Sequence, residues 1–399
     1  MGWLGLDDTD SLEQGCTTYT FHQLLEGLPS SVQVQTPRLV RLWPFAQQRT
    51  RGNAAVAVEL ITDDEPQLIE YLEHFWNMNI SDLAGRVSKS EHDGRAQHPS
   101  DPGMVWFSSQ RPDDSFYLDS VRREVSLHDV PPASYSWGGM GRIGATAAVS
   151  WREGKPTWEA IVWRSQERHG QNERRVCEST LKQIDALPST FLSRDPRRGT
   201  SLIAPRGPCP VLFGVRARDA ETAKFAGSAL REAEETEESI AMRVFVTNQA
   251  TDDHLGEPIQ TTVLSTSVLG RGSTCIATEH GSWMAFGESG PVKLLAQWLE
   301  AGDVILGNGL FPETGVMHLE KLRLIAAVPL HERPMCLDCN VRMKSMGSGQ
   351  GCRCPKCRVR TDDKWIELPR IPPYPSWVQP PLDARRHLAK PVEWNNDTN

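Results

Sequence analysis

No stretch of this sequence approaches the roughly 18 apolar residues of a membrane span. The N-terminus, MGWLGLDDTD, has neither a basic region nor an apolar signal core. Gly2 is not followed by Ser or Thr where myristoylation needs it. These absences exclude the usual routes to a membrane or out of the cell, and the expectation is a soluble cytoplasmic protein. A positive charge excess is missing too: the formal net charge is −8, which by itself does not suggest nucleic-acid binding. There are no internal repeats, and no Walker loop, which needs Gly-Lys-Ser/Thr. With 39% hydrophobic and 24% charged residues, the 399-residue chain can bury real cores, and its length suggests two to four domains.

What is present is unevenly placed. Five of the nine cysteines crowd between Cys336 and Cys357. A secreted disulfide scaffold would be shorter and more evenly stapled, and an odd count argues against full pairing. Cys336-x-x-Cys339 and Cys354-x-x-Cys357, with fourteen residues between the pairs, have the spacing of a zinc ribbon. Each short x-x loop lets two sulfurs face one ion. Four thiolates leave no open position, so a structural zinc is expected rather than a catalytic one. Cys352 is one thiol too many, expected as a small buried apolar residue. Residues 331–370 also hold nine Lys/Arg against five acids. Arg342, Lys344, Arg353, Lys356 and Arg358 surround the knuckles and could meet phosphates. The acidic run at 219–238 reads as the solvated face of a helix.

Three further segments precede the ribbon. Residues 257–328 read as three strands, an amphipathic helix and two strands, the order of an OB-fold; any small β-barrel fits the pattern about as well. Residues 155–255 read β-α-β-β-α-β, the ferredoxin-like plan. The first 150 residues are less regular. WLGL, AAVAVEL and SFYLDSV are strand candidates, ITDDEPQLIEYLEHFW is a helix begun by a Thr/Asp cap, and SKSEHDGRAQHPSDPG is a loop. LPRIPPYPSWVQPP, after residue 365, is proline-rich and expected to stay outside any core.

Asp7, Asp8 and Asp10 follow the first strand, and three carboxylates so close cannot all stay ionised without cations. Magnesium typically uses one or two carboxylates together with substrate phosphates; the alternative is an Asp-rich turn capping the next helix. Thr17 could accept a phosphoryl group or merely start a helix. Arg49 and Arg51 bracket a Thr, and guanidinium forks suit phosphoryl oxygens, although a surface turn explains them equally well. Gly139, Gly141 and Gly144 lead into a helical run whose N-terminus could hold phosphate or could be a plain tight turn. Asn248, Gln249, Asp252 and His254 could line a cleft, or form a polar linker.

Taken together, GLDDTDS with CTTY, RLWPF with TRGN, DPG, GRIGATAA, APRGPCPVLFGVR, RVFVTNQATDDHL and CLDCNVRMKSMGSGQGCRCPKC resemble the archaeal tRNA-isoleucine 2-agmatinylcytidine synthetases. The resemblance implies an α+β multidomain chain: a kinase-like α/β domain (1–152), a ferredoxin-like domain (153–255), an OB-fold (256–330), a zinc ribbon (331–366) and a proline-rich tail (367–399). It implies a ligase that joins agmatine to carbon 2 of the wobble cytidine of a tRNA-isoleucine with a CAU anticodon, using ATP, Mg2+ and Zn2+. By position, Asp7, Asp8 and Asp10 would manage magnesium and phosphoryl transfer, Thr17 would be the phosphorylated threonine, and Arg49 and Arg51 would hold phosphates. The chain departs from the family pattern at Gly15, at Pro99-Ser100-Asp101-Pro102-Gly103, at Arg49 (usually lysine) and at Cys352 (usually aromatic). A non-catalytic RNA-binding protein and a related kinase with another acceptor are the competing readings.

Overall fold

The computed structural model describes residues 1–10, 15–47, 49, 52–85, 98–205, 207–362 and 365–396. The chain divides into two units, 1–255 with 386–399, and 256–385. The first unit runs β1 (Gly2–Asp7), α1 (Thr17–Glu26), β2 (Gln33–Val34), β3 (Arg38–Arg41), β4 (Ala54–Ile61), α2 (Glu65–Asn79), β5 (Gly103–Phe107), α3 (Asp114–Arg122), β6 (Tyr135–Gly138) and α4 (Gly141–Ser150). It continues with β7 (Thr157–Arg164), α5 (Glu178–Asp185), β8 (Thr190–Phe191), β9 (Val211–Ala217), α6 (Ala220–Glu232) and β10 (Ser239–Thr247). Most of the loop expected at SKSEHDGRAQHPSDPG lies outside the described residues.

The strands of this unit form one sheet of order β6-β5-β1-β4-β3-β10-β7-β9-β8, with β2 also on β4. Its first half is apolar on both faces because helices cover both. Leu4, Leu6, Val56, Val58, Leu60, Met104 and Trp106 pack with Phe21 and Leu24 of α1 and Leu68 and Leu72 of α2. The alternate residues Ala55, Ala57, Val105 and Phe107 pack with Tyr117 of α3 and with Ala145, Ala147 and Ala148 of α4. Each large side chain so buried contributes about 1.5–3 kcal/mol. The alanines let α4 come close: a Cβ on Gly5 of β1 would lie 2.3 Å from the Ala145 carbonyl oxygen. α2 starts as expected, with the Asp64 carboxylate accepting from the Gln67 amide at 3.0 Å.

One strand expectation fails. SFYLDSV is helical, as α3, and its buried residues Phe116, Tyr117, Ser120 and Val121 follow helical spacing. A short apolar run fits both periods; here Asp113 decides it by capping the Ser115 amide at 2.9 Å. In the second half of the sheet, β10, β7, β9 and β8 are neighbours in that order, with β10 parallel to β3 through Val246–Arg38 and Thr247–Leu39.

The second unit holds β11 (Ile259–Val268), β12 (Thr274–Thr278), β13 (Gly281–Ala285), α7 (Pro291–Trp298), β14 (Val304–Glu313) and β15 (Val316–Ala326). These strands close into a barrel of order β11-β12-β13-β15-β14. Its core is built on Val263, Ile276, Trp283, Leu295, Ile305 and Leu319. After it come β16 (Leu330–Glu332), β17 (Lys344–Ser345), β18 (Cys352–Arg353), β19 (Arg360–Thr361) and β20 (Ile366–Leu368). β16 pairs with β20 outside the small β17-β18-β19 sheet.

The proline-rich tail corrects a second expectation, because it joins both cores. Val378 exchanges backbone hydrogen bonds with Leu322 at 2.9 and 3.1 Å and is buried in the barrel cluster. Leu388 is buried beside Tyr117 and Trp151 in the first unit. Prolines leave the chain extended with few donors, but an extended segment still lays alternate apolar side chains into a groove. Among the described residues no helix is long and apolar enough to cross a membrane.

Candidate active site and metal centre

β1 delivers Asp7 to the edge of a cavity of about 160 Å³, also lined by Asp8, Asp10, Trp43, Arg49, Gly141 and Gly144. The chain turns sharply here: Asp8 has φ 59°, a conformation Asp tolerates better than most residues. Its amide donates to the Asp7 carboxylate at 2.7 Å, and its own carboxylate accepts from the Asp101 amide at 2.7 Å. Asp101 in turn accepts from the Met140 amide at 2.8 Å, which fixes the entry to α4. The glycines before and within α4 are steric requirements. A Cβ would lie 1.9 Å from Asp101 Oδ1 at Gly139, 2.4 Å from the Gly103 amide nitrogen at Gly141, and 1.9 Å from Asp7 Oδ2 at Gly144. The N-terminus of α4 is thus pressed against the carboxylates, where its dipole favours negative charge.

Burial, then the neighbouring charges of Asp8 and Asp10, hold the Asp7 carboxyl well above its usual range. That is the environment a cation relieves. The three aspartates do not converge on one point: among the described residues only the four ribbon cysteines bring their ligand atoms within 4.8 Å of one another. The set therefore fits a cation that takes one or two carboxylates and completes its shell with phosphate and water, as magnesium does.

Thr17 opens α1, whose N-cap is Cys16 and has no side-chain cap bond. The Thr17 hydroxyl does not cap its own helix. Its Oγ1 accepts from the Thr9 amide at 3.3 Å and from the Thr9 hydroxyl at 3.4 Å. Thr17 lines a second cavity, of about 360 Å³, with Arg41, Glu159, Arg216, Cys209 and His387. Asp10, Gly52 and Ala54 line both cavities. Glu159 is buried, 3.5 Å from Arg41 Nη2 and 3.3 Å from Arg216 Nε. Burial lowers the affinity of Arg41 for its proton, and Arg216 adds to this. His387 is driven well below the usual imidazole range by burial and then by Arg41 and Arg216.

The other expected site residues divide. Arg49 lines the first cavity and donates to the Ala46 carbonyl; Arg51 lies outside the described residues. Asn248, Gln249 and His254 are buried and line neither cavity. Asn248 clamps the Arg41 backbone, accepting at 2.7 Å and donating at 2.8 Å. Gln249 donates to Glu159 at 2.6 Å. The same motif seats the tail. Asp252 accepts from the Lys390 amide at 2.7 Å, and the Ala250 and Asp252 amides donate to His387 and Leu388.

The metal centre is plain. Cys336 and Cys357 place their sulfurs 3.5 Å apart, close to the separation expected around a tetrahedral ion with bonds of about 2.3 Å. Each knuckle repeats the same turn. The amides of Asn340 and Arg358 donate back to Cys336 and Cys354, and both residues have positive φ, 47° and 65°. Burial raises the Cys354 thiol, but the Cys357 and Lys356 amides outweigh it and bring it to about 6, suited to a thiolate ligand. Cys352 is fully buried, as expected of a spare thiol. Arg342, Lys344, Arg353, Lys356 and Arg358 are all exposed. Arg353 lies between Lys344 and Arg360 across the three strands. Like charges placed opposite one another destabilise a sheet unless something anionic meets them.

A carboxylate cavity under a helix N-terminus, a second charged cavity beside it and a four-thiolate ribbon define a zinc-ribbon enzyme built to handle phosphates. Residues 3–134, 139–254 and 333–370 match the family models for the TiaS TCKD domain, the TiaS FLD domain and the TiaS C-terminal zinc ribbon domain. Relatives include the isoleucine-2 tRNA 2-agmatinylcytidine synthetases TiaS of Archaeoglobus fulgidus (30% identical, 98% of this chain and 96% of the relative) and Methanosarcina acetivorans (31%, 99% and 98%). Among solved structures, the complex of TiaS with isoleucine-2 tRNA and ATP is 28% identical with TM-score 0.78, covering 98% of this chain and 97% of that one. The complex of TiaS with isoleucine-2 tRNA, AMPCPP and agmatine is 25% identical with TM-score 0.75, covering 98% and 96%. The chain belongs to the TiaS family of isoleucine-2 tRNA 2-agmatinylcytidine synthetases.

Proposed function

We propose that this chain uses ATP to join agmatine to carbon 2 of the wobble cytidine of the isoleucine-2 tRNA, whose anticodon is CAU. The observation that carries this reading is near-full-length membership of the TiaS family combined with a carboxylate cavity that shares Asp10 with the Thr17 cavity. Carbon 2 of cytosine is a urea-like carbonyl carbon, a poor electrophile whose oxygen leaves badly. Phosphorylating that oxygen turns it into a leaving group, and the agmatine amine then displaces it.

In this reading Asp7, Asp8 and Asp10 manage Mg2+: one or two of the carboxylates would hold the ion, which would supply positive charge to offset that of the transferred phosphoryl group. Arg49 and Arg51 hold phosphates, and the α4 N-terminus, opened by Gly139, Gly141 and Gly144, faces them. Thr17 accepts a phosphoryl group. Asn248, Gln249, Asp252 and His254 act from behind the cavity wall, by positioning Arg41, Glu159 and the tail. The domain assignment follows. A kinase-like domain spans 1–152. The order β10-β7-β9-β8 supports a ferredoxin-like domain at 153–255, and the closed five-stranded barrel with α7 between its third and fourth strands supports an OB-fold at 256–330. The ribbon is 331–366, and Lys344, Arg353 and the neighbouring cations meet tRNA phosphates.

The experiment is incubation with γ-labelled ATP and magnesium followed by peptide mapping. Label on the Thr17 peptide, lost in Thr17→Ala and Asp8→Asn, is the expected result. Full-rate nucleoside formation by Thr17→Ala removes Thr17 from the chemistry.

A further inference from the structure

The second cavity contains charges that the reading above leaves unused. From β3 comes Arg41, from β9 Arg216, from the tail His387, and from β7 a single carboxylate, Glu159; Asp10 stands at the wall shared with the first cavity. Glu159 is 3% exposed and already spent: Arg41 lies against Oε2, Arg216 against Oε1, and Gln249 donates to Oε2 at 2.6 Å. Two guanidiniums therefore share one carboxylate. Neither is fully satisfied by it: the buried Nε of Arg41 makes no hydrogen bond, and the buried Nε of Arg216, although 3.3 Å from Glu159 Oε1, is not aligned to donate to it. A donor left so in a buried site is costly, and an enclosed pair of guanidinium forks is the arrangement that recognises a tetrahedral oxyanion. The imidazole of His387 senses the same excess, since the charges acting on it are Arg41 and Arg216.

We infer that Arg41 and Arg216 form a binding site for a phosphate monoester in the second cavity, with Glu159 as their resting counter-ion. Which monoester arrives rests on the ligase reading: the phosphate on Thr17, which lines the same cavity, or the phosphoryl group carried on the nucleotide substrate. The anion site itself does not depend on that reading. A cationic occupant meeting Glu159 is the opposite alternative, and it has to displace two guanidiniums and an amide from one carboxylate.

Inorganic phosphate is titrated calorimetrically into the full chain while a non-hydrolysable ATP analogue saturates the first cavity. Arg216→Lys, which keeps the charge and loses the fork, should weaken phosphate binding about tenfold. Glu159→Gln keeps an acceptor for Gln249 and removes the competing negative charge, so phosphate should bind about tenfold tighter. Tightening by Glu159→Gln is a gain that no folding defect produces. A chain first phosphorylated on Thr17 should lose the added-phosphate site if phosphothreonine is the occupant, and keep it if the substrate's phosphoryl group is. Absence of phosphate binding in the unmutated chain, or weakening by Glu159→Gln, overturns the inference. Neither result requires agmatine ligation to be observed, so failure of the ligase reading is separately visible.

Discussion

Gly144→Ala reverses an ordinary rule. In a helix interior this change normally stabilises by about 1 kcal/mol, because Ala loses less backbone entropy. Here the new Cβ falls 1.9 Å from Asp7 Oδ2, 2.8 Å from its Cγ and 3.0 Å from Leu42 Cδ1. Ordinary contact begins near 3.4 Å, so either the carboxylate or the helix must retreat by about 1.5 Å. Asp7 has little room: its carboxylate holds the Asp8 amide, and its strand, β1, is locked between β4 and β5. The overpacking should cost about 1–3 kcal/mol. A displacement of this size at a reacting centre costs on the order of 10²-fold in rate. The assay pairs urea unfolding with kcat/KM for ATP in nucleoside formation. Gly154→Ala is the control, since a Cβ there meets nothing within 4 Å. A Gly144→Ala protein with a raised unfolding midpoint and full activity refutes the claim that α4 is pressed onto Asp7.

Three further outcomes follow from the geometry. Metal analysis should give about one zinc per chain, lost in Cys354→Ala and retained in Cys352→Phe, because only the first removes a ligand. Chelation should unfold the 331–365 unit, seen as a loss of amide-exchange protection there with the barrel unaffected. His387 has a folded pKa depressed below its unfolded value near 6.5. Its neutral form is therefore accommodated above that pH, and stability drains as pH falls from about 6.5 toward the folded pKa, by up to about 1.4 kcal/mol per pH unit. Unfolding midpoints measured from neutral pH to about pH 5 should fall less steeply in His387→Gln, with no pH-linked difference above about pH 7. Parallel curves for the two proteins count against the buried placement of His387.

The parts of the fold legible in sequence were those whose signal is local. Two C-x-x-C pairs at ribbon spacing, a strand ending in Asp7-Asp8-Thr9-Asp10, and the glycines before GRIGATAA announce themselves within a few residues of one another. The barrel strands and the helix between them also read directly, because one face of each is buried and the alternation survives. SFYLDSV misled because a short apolar run fits two periods, and the Asp113 cap lies just outside the run. Of the second cavity, only Thr17 and Asp10 were legible; its charged set was not. Arg41 sits in a strand as an ordinary alternating polar residue, Glu159 in TWEAIVWRS looks like a solvent-facing position, and His387 lies in a proline-rich tail. Only long-range pairing brings them together: β3 beside β10, β10 beside β7, and the tail on Ala250 and Asp252. The cleft expected at Asn248 and Gln249 was near in space but placed one layer too shallow, since both are fully buried supports.

Mass analysis of the wobble nucleoside tests the central claim most directly. The full chain is incubated with ATP, magnesium, agmatine and an isoleucine-2 tRNA transcript with a CAU anticodon, and the tRNA is digested to nucleosides. Agmatine ligation by this chain yields a cytidine derivative heavier by agmatine less one water, formed only when ATP and agmatine are both present and absent with Asp8→Asn. Unmodified cytidine despite ATP consumption, or a phosphorylated product indifferent to agmatine, contradicts it.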